Sequence, residues 1–197
     1  MKKTLLFVTV LITILTSCKK EKHYKFSSKE LDFVNYSEGQ TIKFIDTNLS
    51  SRTLVQGTYK RDFHERYSMF MKTGEFSETY EVSYHTQTGN YAMGLSIALD
   101  KESKTLDIDF NGYELFANPD SLNPSITLVS INGVSYSDVY TLKVYNNSGA
   151  AANTYGRFVL VNGQYVSNTD TATLYHSKQY GVIQLLFPNG KRILRTD

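Results

Sequence analysis

The sequence has no tryptophan, one cysteine and three prolines among its 197 residues. A single cysteine excludes a disulfide within the chain, so the folded protein depends on side-chain packing for its stability. The longest apolar run has eleven residues, from Leu5 to Leu15. A helix that spans a membrane needs ~20 such residues, so this run is too short to be one.

The N-terminal residues are typical of a secretion signal. Lys2 and Lys3 precede the apolar run, and small residues follow it before Cys18. The segment Leu15–Cys18, Leu-Thr-Ser-Cys, resembles the lipobox of bacterial lipoproteins, in which the cysteine thiol takes a diacylglycerol group. The resemblance implies cleavage after Ser17 and lipidation of Cys18. It also implies that the freed amine of Cys18 is acylated by a fatty acid such as palmitate. The alternative is an ordinary signal peptide that leaves Cys18 a free thiol.

A lipidated Cys18 predicts a protein that is anchored to a membrane, because two acyl chains already suffice for stable anchoring. Lys19 follows the cysteine, and by resemblance to the sorting rule of enteric bacteria this favours the outer membrane, at its periplasmic face or at the cell surface. The Cys-Lys-Lys-Glu-Lys start is similar to the leaders of small envelope lipoproteins from Bacteroides-type bacteria. Loss of residues 1–17 removes Lys2 and Lys3 and brings the net charge from +2 to zero, so we predict no nucleic-acid partner.

We predict three segments along the chain. Residues 1–17 are the signal peptide, residues 18–28 are the lipidated cysteine with a charged tether, and residues 29–197 form one all-β domain. The tether, Lys19–Ser28, has no hydrophobic periodicity. The stretch Asn118–Pro124 holds two of the three prolines and is the one candidate for a boundary inside the domain.

Alternation of apolar and polar residues predicts the all-β fold. The pattern is clearest over Phe76–Phe116, where Tyr80, Val82 and Tyr84 share one face and Glu78 is its one charged exception. Four Asn-Gly dipeptides between strand-like runs indicate tight hairpins. Because such turns join neighbours in sequence, we predict an antiparallel, meander-rich barrel or strongly curved half-barrel of about ten strands. A two-sheet β-sandwich is the alternative.

The titratable residues match no known catalytic or metal-binding motif. His64 and Glu65, together with His85, have the chemistry of zinc ligands, but their spacing matches no metal motif. We predict instead that Lys60–Arg66 is a solvated loop, and that His176 lies in an exposed turn.

Asp107 and Asp109 share one strand face, as solvent-facing carboxylates do on many antiparallel sheets. Cys18 is consumed by lipid and is therefore no nucleophile. We predict no catalytic residue, no cofactor and no bound metal.

Tyrosine is the most numerous aromatic residue, with fifteen copies. Most of them alternate with polar residues and are predicted to lie in or beside the core, although tyrosine also anchors interfaces and stacks on sugars. The hairpin predicted over Ile126–Tyr145 places Tyr136 and Tyr140 on one face and Tyr145 on the other. These three tyrosines are the candidate binding residues.

Two C-terminal segments carry a second resemblance. Asn132–Tyr140 and Leu174–Ile183 are similar to the closing strands of small envelope lipoproteins, which carry G-x-x-Y-x-x-V and Y-x-x-K-x-x-G-[VIL]. The resemblance implies no activity. Gly181 would permit a bulge or a close backbone approach at the start of a strand.

These features together predict a non-enzymatic, membrane-anchored lipoprotein that acts as an accessory or binding module for an envelope protein or a glycan. The alternative is a carrier of lipid or another apolar ligand, in which small residues of the curved sheet line a groove: Ala92, Gly94, Ser96 and Ala98. A hydrolase is the third hypothesis, because the sequence alone does not position the histidines and carboxylates of the domain.

Overall fold

The computed structural model describes residues 21–47, 50–69, 71–86, 93–125, 128–146, 158–161, 164–167 and 171–197. For 158–161 and 164–167 it describes the backbone alone. The predicted signal peptide and Cys18 lie outside the described residues, and so does the Asn162-Gly163 turn.

The described residues form fifteen strands, one short helix, α1 (Ser28–Leu31), and a 3-10 turn over Pro119–Ser121. The strands are β1 (Lys22–Tyr24), β2 (Thr41–Asp46), β3 (Ser51–Ser68), β4 (Met71–Thr86), β5 (Gly94–Asp100), β6 (Thr105–Phe110), β7 (Tyr113–Ala117), β8 (Val129–Ile131), β9 (Val134–Tyr136), β10 (Val139–Asn146), β11 (Phe158–Val161), β12 (Gln164–Ser167), β13 (Thr171–Ser177), β14 (Gly181–Leu186) and β15 (Arg192–Arg195).

Ten of these strands close into one antiparallel barrel. Their order around it is β2, β3, β4, β5, β6, β7, β10, β13, β14 and β15, and β15 pairs again with β2. Neighbours in the barrel are therefore neighbours in sequence, and the hairpins β8–β9 and β11–β12 interrupt the meander. This confirms the predicted all-β barrel and rules out the sandwich. Strands on both sides of Asn118–Pro124 belong to the same barrel.

The inward faces of the strands form the core. Val82, Ile97, Ile108 and Leu115 lie opposite one another on four neighbouring strands, and all four are buried. Their alternation with outward polar residues is the period-2 pattern of a half-buried sheet. The large side chains of the interior pack ring against ring, as in the pair Phe44 and Phe110, whose ring centroids are 4.9 Å apart.

The segment Phe26–Tyr36 closes one end of the barrel, and we call it the plug. Its α1 begins with a capping box, in which Ser27 Oγ accepts the Glu30 N–H and the Glu30 carboxylate accepts the Ser27 N–H. Phe33 is fully buried, with its ring 4.7 Å from that of Tyr140. A four-residue helix is not stable alone, so this packing stabilises it.

The chain before the plug is also part of the fold. β1 pairs in parallel with β4, with Lys22 opposite Glu75, and Phe26 is buried. The Phe26 N–H donates to Glu78 Oε2 at 2.7 Å. The tether predicted over Lys19–Ser28 is therefore wrong from Lys22 onward. The sequence pattern did not indicate β1, because all three of its residues are exposed and the strand therefore has no apolar face.

β3 and β4 extend well beyond the barrel. β5 pairs with β4 up to Thr79, whereas β3 and β4 continue to pair as far as Ser68 with Met71. We call this extension, residues 63–68 and 71–78, the ribbon. Part of the predicted loop Lys60–Arg66 lies in it, and the whole of that stretch is strand. The mixed charges are compatible with a strand here because the residues from Lys60 to Arg66 are exposed or half-buried.

The hairpin predicted over Ile126–Tyr145 is also different in the structure. β8 and β9 form a short hairpin about Asn132 and Gly133, which both have positive φ, but the pairing stops at Tyr136. Asp138, with φ of 52°, turns the chain away, and β10 enters the barrel between β7 and β13.

Gly181 begins β14 at a point where only glycine fits. Its φ is 73°, and a Cβ there would overlap the Tyr36 hydroxyl. The same hydroxyl accepts the Val182 N–H at 2.8 Å. Tyr175 pairs with Gln184 and His176 with Val182, which leaves Ile183 as a bulge. Of the two roles expected of Gly181, a bulge or a close backbone approach, the close approach is present at Gly181 itself, and the bulge lies two residues further along β14.

We predict that Gly181→Ala lowers the free energy of unfolding by about 3 kcal/mol in urea denaturation, because it adds left-handed strain and a clash with Tyr36. Gly190→Ala is the matched control: its φ is 80°, but no atom lies within 4 Å of the new Cβ. It should cost about 1 kcal/mol, which is the strain alone. Equal losses in the two variants would contradict a role for the Tyr36 contact.

Candidate functional site

A groove of about 370 Å³ lies on the outer surface of the barrel, between the β8–β9 hairpin and the ends of β14 and β15. Ile131 and Ile183 form its buried floor, and Val134, Tyr136 and Tyr180 form its edges. The groove is thus built from a hairpin outside the barrel and from the barrel wall that it covers.

The barrel wall is apolar on its outer side at this point. Ile183 and Leu194 face outward and form a second core with Ile131 and Val139. Because the hairpin covers them, five of the six residues of β14 are buried, which is unusual for an antiparallel strand with one solvated face. The hairpin is therefore packed against the barrel, and its side chains are held in place.

Aromatic and aliphatic side chains remain exposed along the edge of the groove. Val134 is 53% exposed and Tyr180 is 42% exposed. The rings of Tyr136 and Tyr180 form a T-shaped pair with centroids 5.7 Å apart. Apolar side chains that stay exposed on a rigid frame are typical of an interaction surface.

The other end of the groove is polar. The Arg195 side chain is nearly buried, and its Nε donates to Asp197 Oδ1 at 2.8 Å. Its Nη1 donates to the Tyr180 carbonyl, which ties the aromatic edge to the C-terminal residues. The Thr196 N–H donates to the Lys43 carbonyl at 2.9 Å and fixes the backbone of this end. An apolar floor, two aromatic rings and a polar end can bind a ligand by stacking and hydrogen bonding.

The three candidate tyrosines have different positions. Tyr136 lines the groove. Tyr140 is fully buried inside the barrel, where its hydroxyl donates to Asp32, so it is not a surface residue. Tyr145 is half-buried on β10, opposite Glu114 of β7, and does not line this groove. Sequence reasoning missed Tyr180, which adjoins Gly181, because it lies beside Tyr136 only through the packing of the β8–β9 hairpin on the barrel.

Two buried carboxylates hold the plug to the barrel. Glu78 accepts Arg61 Nε at 2.8 Å as well as the Phe26 N–H, so the charged exception in the β4 pattern faces inward and is paired. Glu30 accepts Lys101 Nζ at 2.6 Å. Burial alone would raise the pKa of Glu30, but hydrogen bonds from Lys101 and Ser27 outweigh it and lower the pKa below its usual value. Both carboxylates have a structural role, because their contacts hold the plug against the barrel.

The residues with metal-ligand chemistry do not converge. Within the described ranges, no group of three or more His, Cys, Asp or Glu is placed to hold a metal ion. His64 and Asp107 both line a second groove, of about 290 Å³, on the outside of β3–β7. The pKa of Asp107 is raised by desolvation and by the neighbouring Asp109.

The small residues proposed to line a ligand groove face outward. Ser96 and Ala98 are exposed, whereas Leu95 and Ile97 between them point into the barrel. Ala92 lies outside the described residues. The small-residue stripe therefore does not line the barrel interior, although one of its members, Ala98, lines the second groove on the outer face.

No protein-family model, curated protein or solved structure matches this chain. Among the residues that the structure describes, no helix is long and apolar enough to cross a membrane.

His176 is fully buried beside the plug, which contradicts the predicted exposed turn. Its ring lies 4.9 Å from Phe33, and among the described residues neither ring nitrogen has a hydrogen-bond partner. Burial lowers the pKa of His176 to about 3, so the ring stays neutral. The signal was present in the sequence, because Ala172, Leu174 and His176 alternate as inward residues of β13.

We predict that His176 makes the fold less stable as the pH falls below about 6.5, where the unfolded histidine takes up a proton and the folded one does not. The free energy of unfolding should fall by up to ~1.4 kcal/mol per pH unit, measured by urea denaturation between about pH 4.5 and 7.5. His176→Leu should flatten this slope, and His64→Leu, at an exposed position, should not. An unchanged slope in His176→Leu would contradict the prediction.

Proposed function

We propose that this chain is a non-enzymatic, membrane-anchored binding module of a bacterial envelope, and that the groove edged by Val134, Tyr136 and Tyr180 is its binding surface. The lipidated Cys18 supplies the anchor, and the outer membrane is the location. The partner is an envelope protein or a glycan. The exposure of Val134 on the packed hairpin, and of Tyr180 in the turn beside it, carries the proposal.

The chemistry of the groove supports binding. A rigid frame reduces the conformational entropy that association costs, and aromatic side chains contribute much of the energy in many interfaces. Tyr136 and Tyr180 present ring edges and faces, while Asn132 and Asp197 add polar groups at the margin. Such a mixture suits a peptide segment or a sugar ring.

The two alternatives have less support. For a lipid carrier, the motivating small residues such as Ser96 and Ala98 lie on the outer face, and bulky rings such as Phe44 and Phe110 occupy the core. For a hydrolase, the buried carboxylates of Glu30 and Glu78 are each engaged by a cation and a backbone N–H.

We predict that the variant Val134→Asp, Tyr180→Ala loses partner capture by at least about tenfold, because hot-spot side chains contribute about 2 kcal/mol each. The measurement is cross-linking in the native envelope, followed by mass spectrometry of proteins and glycan analysis of the captured material. Both replaced side chains are substantially exposed, so the fold should persist.

Tyr145→Ala is the matched control for this variant, because it removes a half-buried tyrosine outside the groove. It should capture as much partner as the native protein. Undiminished capture by a folded Val134→Asp, Tyr180→Ala protein would refute the groove as the binding surface.

The anchor is testable separately. We predict that cells fed labelled palmitate incorporate it into the native protein, and that Cys18→Ala abolishes the incorporation, because this is the sole cysteine. Mass spectrometry of the mature N-terminus should find an acylated Cys18. A free thiol there would refute the lipid anchor and leave the groove unaffected.

A further inference from the structure

The ribbon ends in an apolar tip. Tyr67, Met69 and Met71 are 61%, 88% and 70% exposed, and Met69 is the most exposed large hydrophobic residue of the described chain. We call these three residues the ribbon tip. They flank the turn that joins β3 to β4, where Ser68 pairs with Met71. An apolar cluster at the end of a projecting hairpin indicates a contact with something outside the barrel.

The ribbon carries its tip beyond the paired strands of the barrel. Residues 71–78 lie beyond the last pair of β4 with β5 and span roughly 25 Å at ~3.3 Å per residue. Ion pairs stiffen the ribbon: Arg66 contacts Glu75 within it at 3.2 Å and Glu102 of the β5–β6 turn at 2.9 Å. Thr73 Oγ1 also donates to the Arg66 carbonyl across the ribbon at 2.8 Å. The tip is thus presented on a braced two-stranded arm.

The direction of β1 brings the N-terminal side of the chain toward this tip. β1 is parallel to β4, with Lys22 opposite Glu75 and Tyr24 opposite Ser77. The chain therefore enters β1 from the side of Met71. Cys18 precedes Lys22 by four residues, which span at most ~14 Å when extended. The lipid-bearing residue and the ribbon tip are consequently within reach of one bilayer surface.

We propose that Tyr67, Met69 and Met71 insert into the interfacial layer of the bilayer that holds the lipids of Cys18. This contact rests on the membrane-anchored role proposed above. Tyrosine suits the interface because its ring is apolar and its hydroxyl is polar, and methionine adapts its shape to disordered surroundings. The tip is a second point of attachment, and two points fix the orientation of the barrel on the membrane, which one flexible anchor does not.

The charges beside the tip are balanced. Lys72 Nζ lies 2.8 Å from Glu65, and Lys22 Nζ lies 3.4 Å from Glu75. An electrostatic attraction to anionic headgroups would need unpaired cations and would weaken with salt. The contact of the tip is therefore apolar, and salt should not release it.

The test uses the full acylated protein, reconstituted in protein-free vesicles of phosphatidylethanolamine and phosphatidylglycerol. Met69→Cys carries an NBD fluorophore at the tip. Asn189→Cys, in the turn between β14 and β15 at the end of the barrel opposite the plug, is the control. Since lipid occupies Cys18, each variant has one reactive thiol.

We expect the fluorophore at residue 69 to shift to the blue, to lose quenching by aqueous iodide and to be quenched by spin-labelled lipid. Residue 189 should stay open to iodide. High salt should leave the protection of residue 69 unchanged. If residue 69 is as accessible as residue 189 in vesicle-bound protein, the insertion is refuted while the anchor stands. Protection of residue 69 in native envelopes but not in vesicles would also refute it, and would assign the tip to a protein.

A failure of the anchor itself has a different signature. A free Cys18 would take a second fluorophore, so two labels per chain would refute the lipidation on which the inference rests. Chains that carry one label have a lipidated Cys18. On these vesicle-bound chains, the iodide measurement at residue 69 tests the insertion alone.

Discussion

The fold depends on filling a wide barrel. Eight strands enclose an interior that inward side chains just fill, so ten strands leave more space than their own side chains occupy. The plug, Phe26–Tyr36, supplies the missing volume at one end, with Phe33 against Tyr140 and His176 and with Tyr36 against the start of β14. Because Gly181 has no side chain, the Tyr36 hydroxyl can approach the backbone at this position. A strand-only account of this barrel is therefore incomplete, because a segment of irregular chain forms part of its core.

Seating an irregular segment in a core brings polar groups with it, and each needs a partner to offset the cost of desolvation. Glu78 meets this requirement, because one oxygen accepts a backbone N–H and the other a cation. Glu30 accepts both kinds of donor on Oε2, while its buried Oε1 has no partner among the described residues. Breaking such a pair costs far more than its net stabilisation, because it leaves one buried charge without a partner. The same contacts fix where the chain leaves the plug toward its N-terminus. Packing at the barrel end thus determines the direction in which β1, and the residues before it, approach the ribbon.

Structural features that depend on residues close in sequence could be predicted from the sequence. Features that depend on contacts between distant residues were missed. Alternation and Asn-Gly turns located β5, β6 and β7 and the up-and-down order, because each depends on residues close in sequence. Glu78 stood out as an exception, but its meaning required Arg61 and the Phe26 N–H, which lie 17 and 52 residues away. β1 has no apolar face, and in the plug a buried glutamate, Glu30, and an exposed leucine, Leu31, obscure the apolar pattern. Tyr136 was found in the candidate site, whereas Tyr180 and Arg195 join it only through the fold.

On the surface of the groove, the exposure of a side chain, rather than its residue type, distinguishes the residues that stabilise the fold from those that can bind a partner. Tyr136 packs against the second core, so its replacement would disturb the hairpin as well as any partner. Val134 and Tyr180 lie at the same groove but are substantially exposed, and the fold gains little from their apolar side chains. Keeping apolar groups in water has a cost that packing does not repay at these two positions. The same reasoning applies to Met69 at the far end of the ribbon. Two separate surfaces of one rigid barrel therefore retain apolar side chains that its own stability does not require.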